Sequence, residues 1–252
     1  MSRGLIKPIF GTQLDRSHPL AQGLVASYLF NEGCGDLVHD SAGMNDGKMT
    51  NMAPMSSTSG WNGQGLAFDG TDDYVVENRI GAINVGVNYS LFALIKSTDS
   101  TGEKLIVTNG VTAGRNIISL NANTVCAGYY DGVVHKISGE LIPNTRTSIL
   151  YTKSGSTINL YINGVSQSGT VQGRFDSGSG FRIGAANQTG YYFIGDVYVV
   201  GLYSTALSIN DAIRLYADPY CMYPDQTMPA WMIDAAATGN RRRRQLIAGV
   251  YR

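Results

Sequence analysis

The sequence predicts an all-β fold: an antiparallel sandwich of two sheets, with one short helix near 208–216 and extended terminal arms. Three observations predict it. Runs rich in Val, Ile, Tyr and Phe recur between 103 and 137 at intervals of roughly ten residues, the spacing of sandwich strands. Glycine supplies 31 of 252 residues and charged residues only 15%, against a usual glycine share of about 7%, so tight turns between short strands are expected. A single stretch, 208–216, carries helix signals. The chain is long enough to bury a full core as one domain.

Taken in order, residues 1–22 read as an arm, punctuated by Pro8, Gly11 and Pro19 without sustained periodicity. Gly23 to Phe30 (GLVASYLF) is the first strand, turned by Asn31 to Gly35, and Asp40 to Gly47 is a second turn-rich element. Gly65 to Gly70 and Asp72 to Val75 are two short strands around an Asp-Gly turn, with Phe68, Tyr74 and Val76 expected inward. Tyr89 to Ser97 alternates Leu91, Ala93 and Ile95 against Phe92, Leu94 and Lys96, a strand that crosses the sandwich. Lys104–Thr108, Asn116–Leu120, Val125–Tyr129, Val133–Ile137 and Ser148–Thr152 follow. Thr157 to Val165 sets Ile158, Leu160 and Ile162 on one face and Asn159, Tyr161 and Asn163 on the other. Asn163-Gly164 then supplies a type I′ hairpin turn, because both residues accept φ > 0.

Phe181 to Gly184 is a strand ended by glycine, and Tyr191 to Tyr203 is a long apolar strand. Ser208 stands where a helix N-cap should, with Asp211 as the capping-box acid. Ile209, Ala212, Ile213 and Tyr216 fall at i, i+3, i+4, i+7 and are expected to form the buried stripe. Asp218-Pro219 stops the helix.

Several of these stretches together resemble laminin-G-like domains of the concanavalin A-like superfamily. The matching residues are Asn31-Glu32-Gly33, Asp40-Ser41-x-Gly43, Gly65-Leu66-Ala67-Phe68-Asp69-Gly70 with Asp72-Asp73-Tyr74-Val75, Leu160 to Val165 (LYINGV), and the closing Gly195, Val197, Tyr203, Ala206-Leu207-Ser208 and Leu215-Tyr216. The resemblance covers residues 23–217 and implies a concanavalin A-like jelly roll. One departure stands out: Tyr198 and Val199 occupy the positions of the family's Asp-Glu pair, whose acids can serve a structural cation. The division expected is an N-terminal arm (1–22), a sandwich (23–217) and a docking segment (218–252).

Composition and motifs exclude several functions. No apolar run approaches the ~20 residues of a membrane span, and Met1 to Arg16 lacks the apolar centre of a signal peptide. Cys34, Cys126 and Cys221 have no metal or disulfide spacing and read as buried free thiols. A glycosidase of this fold needs two glutamates a few residues apart on one strand. The four glutamates, Glu32, Glu77, Glu103 and Glu140, all lie more than twenty residues from one another. His18, His39 and His135 fit no zinc pattern, and no nucleophile elbow or phosphate loop is present. A non-enzyme is expected.

Calcium is the one cofactor that the acids suit, through Glu32, Asp40, Asp46, Asp69 and Asp73; the alternative use of Asp40, Asp46 and Asp69 is to close turns. Two turns offer aromatic and amide groups for a sugar: Tyr129, Tyr130 and Asp131 at one, Asn187, Gln188, Tyr191 and Tyr192 at the other. Packing is the competing use of these tyrosines. Net charge is zero, yet residues 241–252 hold five arginines and no acid, leaving 14 basic against 19 acidic groups elsewhere. That acidic body argues against nucleic acid. Arg241, Arg242, Arg243 and Arg244, with Leu246, Ile247, Val250 and Tyr251 beyond them, read instead as a docking tail for a protein surface. The Leu-Tyr-x-Asp-Pro-Tyr ending and basic tail resemble domains of tailed-bacteriophage proteins. The expectation is therefore a virion structural or decoration protein, an oligomer among other virion proteins, displaying a lectin-like sandwich. The alternative expected is a glycan-binding adhesion module, and a distant third a glycoside hydrolase.

Overall fold

A computed structural model of the chain describes residues 6–53, 58–77, 88–97, 101–109, 115–130, 134–167, 180–186 and 191–224. The strands are β1 (Leu24–Tyr28), β2 (Leu37–Val38), β3 (Gly47–Thr50), β4 (Gly60–Trp61), β5 (Leu66–Asp69), β6 (Tyr74–Glu77), β7 (Tyr89–Ser97) and β8 (Glu103–Asn109). They continue as β9 (Arg115–Asn121), β10 (Thr124–Tyr130), β11 (Val134–Glu140), β12 (Thr147–Ser154), β13 (Thr157–Ile162), β14 (Val165–Gln167), β15 (Phe181–Ile183) and β16 (Ile194–Tyr203). One helix follows, α1 (Ile209–Ala217).

The strands pair antiparallel into two sheets. Sheet A runs β14-β13-β12-β7-β16-β5-β4, with β1 against the last residues of β16. Sheet B runs β11-β10-β9-β8-β15-β6-β3-β2. β7 lies between β12 and β16, and β15 between β8 and β6, so chain order and sheet order part company as in a jelly roll. The sandwich expected from the sequence is the one observed.

The main core fills the space between the sheets, from Leu91, Ala93, Ile95, Ile149, Ile158, Leu160 and Val200 on one side to Ile118, Leu120, Val125, Phe181 and Ile183 on the other. A second core lies on the outer face of sheet A. Phe92, Leu94, Leu150, Tyr161, Tyr198, Val199 and Tyr203 point outward there, beneath Leu20 of the arm, Ala212 and Leu215 of α1, and Tyr220, Met222 and Tyr223 beyond it. This explains why β7 and β16 are apolar on both faces: each is sandwiched twice. At 1.5–3 kcal/mol for each fully buried large side chain, an order-of-magnitude value, the outer layer is a substantial part of the fold. From the expected arm Leu20, with Leu14 and Ala21 beside it, and from the expected docking segment Tyr220, Met222 and Tyr223 lie in this layer.

Three expectations of side-chain direction are corrected. In β6 it is Val75 and Glu77 that turn inward, while Tyr74 and Val76 are half-buried on the outer face. Both phases of that short strand carry apolar residues, so alternation could not fix it. Tyr74 lies under Arg182, whose guanidinium carbon is 5.0 Å from the ring centroid. In α1, Ala212 and Leu215 are buried, whereas Ile209, Ile213 and Tyr216 are about half exposed. The helix rests on sheet A through the flank next to the expected stripe, because Ile213 and Tyr216 lie beside Gly164 at the hairpin tip. Among the cysteines, Cys126 is buried but Cys34 is exposed; all three are free thiols.

Local signals hold elsewhere. The capping box is closed: Ser208 Oγ accepts from Asp211 N, and Asp211 Oδ2 accepts from Ser208 N at 2.9 Å. Asn163 and Gly164 have φ of 52° and 76°, and Ile162 pairs with Val165 across them, the two-residue hairpin expected. Gly195 is required by a close approach, since a Cβ there would sit 2.3 Å from the Lys96 carbonyl oxygen.

Two outcomes are expected. Gly164→Val forces a β-branched residue into left-handed backbone and should cost at least about 1 kcal/mol, a fall in Tm of about 2–4 °C; an unchanged Tm contradicts the turn. The second concerns Lys7, whose Nζ donates to Phe30 O at 2.8 Å and Gln64 O at 2.6 Å, tying the arm to two loops. Burial pushes this amine down to about 7, with Glu32 opposing and Arg146 reinforcing the shift. From about pH 7 up to the usual lysine range near 10.4, the unfolded chain therefore binds more protons than the folded one, and stability from this group rises with pH. Denaturant unfolding of wild type and Lys7→Met at pH 6 and pH 9 measures it. The balance should shift towards wild type at pH 9, and a constant difference refutes the linkage.

Candidate functional site

Where the arm crosses the loop after β1, a cleft of about 310 Å³ opens, at the small end of ligand pockets, which run about 300–1,000 Å³. One wall is the arm segment Phe10–Gln13 with Arg16; the other is Leu29, Asn31 and His39–Ser41 with Gly43. The arm is pinned on both sides of this span. Lys7 holds it before the cleft, and the Asn31 amide donates to Pro8 O at 2.9 Å. After the cleft, Arg16 donates to Ala42 O at 2.8 Å and Asp15 N to Met222 O at 2.9 Å. Thr12 returns both its N–H and its hydroxyl to Ile9 O, closing a turn that carries Phe10 and Gly11.

Asp40 builds the opposite wall. Its Oδ1 accepts from Ser27 N and Ala42 N, and its Oδ2 from the backbone and side-chain nitrogens of Asn45. The carboxylate is buried and its lone pairs are committed to N–H donors, which organises the 40–45 turn. Asp46 Oδ1 accepts from Asp40 N, and Glu32 Oε1 from His39 N, so both acids also serve backbone. The second Glu32 oxygen is buried without a hydrogen-bond partner. Phe10 is 54% exposed at the rim, its ring tilted against His39 with centroids 5.1 Å apart. The cleft thus offers an apolar ring, amide groups from Asn31 and Gln13, and the Arg16 guanidinium.

The acids expected to hold calcium fall into separate places. Among the described residues, those whose ligand atoms come within 4.8 Å of one another are Asp69, Asp72 and Asp73; Glu32, Asp40 and Asp46 are not of this group. Two of the three are already engaged. Asp69 Oδ1 accepts from Thr71 N, and Asp73 accepts from Ser59 Oγ and Asp69 N. Burial pushes the Asp73 carboxyl up, with its hydrogen bonds opposing. At the positions of the family's Asp-Glu pair, Tyr198 and Val199 are buried in the outer core and offer no carboxylate. The donor set fits turn closure better than a calcium shell of six to eight oxygens.

The described tyrosines flanking the two expected turns lie towards opposite ends of β8 in sheet B. Tyr129 and Tyr130 end β10, opposite Asn116 and Arg115 of β9, and Asn116 faces Asn109 at the far end of β8. Tyr191 and Tyr192 lie beside Leu105, near the start of β8. Tyr191 packs on Leu105, Ile117 and Ala186, and its carbonyl accepts from Leu105 N at 2.8 Å. Asp131, Asn187, Gln188 and Arg241–Arg244 lie outside the described residues. The cleft itself was not legible as a site, although Ile6, Ile9 and Phe10, exposed apolar residues of the arm, mark its neighbourhood.

A family model described as the concanavalin A-like lectin/glucanases superfamily matches residues 69–212, more than half of the chain. No curated protein matches the chain. Among solved structures, a Trypanosoma rangeli sialidase mutant displaying trans-sialidase activity is similar at TM-score 0.64 and 16% identity, over 85% of this chain and 37% of that one. The Trypanosoma rangeli sialidase in complex with sialic acid gives 0.58 and 17%, over 81% and 34%. The receptor binding domain of botulinum neurotoxin C/D mosaic serotype gives 0.57 and 12%, over 77% and 51%. The chain thus spans about a third of the sialidases and half of the toxin fragment, and at these identities the likeness is one of fold. On the family match, the chain belongs to the laminin-G-like branch of the concanavalin A-like lectin/glucanases superfamily.

Proposed function

We propose that the chain is a non-catalytic saccharide-binding module, working through the arm cleft and carried on a larger assembly by its terminal segments. The observation that carries this is the exposed Phe10 at the rim of a 310 Å³ cleft. A sugar ring stacks its C–H face on an aromatic side chain while its hydroxyls bond to amide and guanidinium groups, and Asn31, Gln13 and Arg16 stand there to receive them. Hydrolysis by the usual route needs a pair of carboxylates, one of them a proton donor. The cleft is lined by one, Asp40, and its oxygens are occupied by four N–H groups.

The assembly expected from the sequence is a tailed-phage particle. Two features favour display by the ends of the chain. Ile6 and Ile9 are each more than half exposed within four residues of arm, an apolar edge suited to a neighbour. The arm and the 220–223 segment also meet on one face, through Asp15 N donating to Met222 O, while the Tyr223 hydroxyl ties that segment to β1 and the 40–45 turn, 2.8 Å from Ser27 Oγ and 2.6 Å from Ser41 Oγ. The outer face of sheet B is on the opposite side of the sandwich.

Glycan-array binding followed by calorimetry on the full chain tests the reading. Phe10→Ala should weaken the best saccharide about tenfold, near the upper end of what one aromatic contact contributes, and leave Tm within about 1 °C. Ile142→Ala, remote and exposed, should change neither. Tyr191→Ala should lower Tm and spare affinity. Binding that survives Phe10→Ala but fails in Tyr191→Ala would move the site to the sheet B turn, and sustained release of reducing sugar would contradict the non-catalytic assignment.

A further inference from the structure

We propose that the cleft selects saccharides carrying a carboxylate, with Arg16 reading the charge; this rests on the saccharide-binding reading above. The inference comes from the donors and acceptors on the cleft walls. Gln13 donates its amide to Gly11 O, and Asn31 donates its own to Pro8 O. Thr12 and Ser41 donate their hydroxyls to Ile9 O and Ser27 O. What Gln13 and Asn31 leave for a ligand is the amide oxygen and the second amide N–H of each, neutral groups that suit sugar hydroxyls.

The exception is Arg16. One of its terminal nitrogens donates to Ala42 O, and among the described residues no carboxylate pairs with it. A guanidinium has five N–H donors in a planar fork that matches a carboxylate bidentately. An ammonium cannot reproduce that geometry.

Asp40, on the facing wall, makes no ion pair with it among the described residues. Its oxygens are taken by Ser27, Ala42 and Asn45, and it is only 6% exposed. A ligand carboxylate placed on Arg16 therefore meets an exposed cation that, among the described residues, no carboxylate pairs with. A neutral sugar in the same place leaves that cation to water. Amide groups for hydroxyls, a ring for the C–H face and one forked cation together describe a sugar acid.

The test uses the full chain with disaccharides of galacturonic, glucuronic, mannuronic and N-acetylneuraminic acid, each beside its methyl ester, which keeps the shape and removes the charge. Titration by calorimetry or by NMR gives the acid-to-ester ratio of affinities. At least one pair should favour the acid by about tenfold or more, the scale of a charge-assisted hydrogen bond. In Arg16→Gln that ratio should fall to near one, and in Arg16→Lys to an intermediate value, with Tm unchanged in both. Raising salt should reduce the ratio in wild type. Equal binding of acid and ester throughout the panel, no binding of any acid, or a ratio indifferent to Arg16→Gln overturns the proposal. If ester binding persists and is lost in Phe10→Ala, the cleft stands and only its charge selectivity falls. If neither Phe10→Ala nor Arg16→Gln alters any binding, the cleft itself is not the site.

Discussion

A sheet that is apolar on both faces must be covered twice, and the rest of the molecule follows from that requirement. β7 and β16 send Leu91, Ala93, Ile95 and Val200 into the sandwich and Phe92, Leu94, Tyr198 and Tyr203 out of it. Sheet B covers the first set. The second would face water unless something else lay across it, and the arm, α1 and the 220–223 segment do so. Helix α1 is too short to cover that face alone, having nine residues with two of them buried. Hence the chain on both sides of the sandwich proper is drawn onto the same face, and the arm is structure rather than a loose leader.

The cleft is a by-product of that covering. An arm held by Lys7 and Asn31 at one point and by Asp15 and Arg16 at another must bow between them, and the bow over the 39–43 wall leaves space. Thr12 and Gln13 along the bow satisfy nearby backbone carbonyls first, which leaves the second amide N–H and the oxygen of Gln13 for a ligand. Function placed here would be coupled to the outer core: loosening Leu20 or Tyr223 should disturb the cleft before it disturbs the main core.

Most of the architecture was legible in the residues. Alternation placed Ile158, Leu160 and Ile162 correctly, and Asn163-Gly164 announced its turn, because those signals are local and each has one physical solution. Signals with two solutions misled. Tyr74-Val75-Val76 is apolar in either phase, and α1 carries apolar residues on adjoining flanks, so burial was decided by neighbours distant in sequence. The acids at 32, 40 and 46 and at 69 and 73 did not mislead in this way: both uses, a cation or a turn, were open from the sequence, and each acid accepts from a backbone N–H. The cleft was hidden for a further reason. It joins residues 10–16 to 29–43 through an arm whose path depends on Met222, a contact no local pattern encodes.

Ligand is expected to bind where the arm crosses the 31–43 loop, and hydrogen exchange on the full chain locates binding without any substitution. With the tightest saccharide added, peptides spanning residues 9–16 and 39–45 should exchange more slowly, while those spanning 128–135 and 185–193 stay unchanged. Protection confined to the latter two regions would contradict the account and return the site to the sheet B turns.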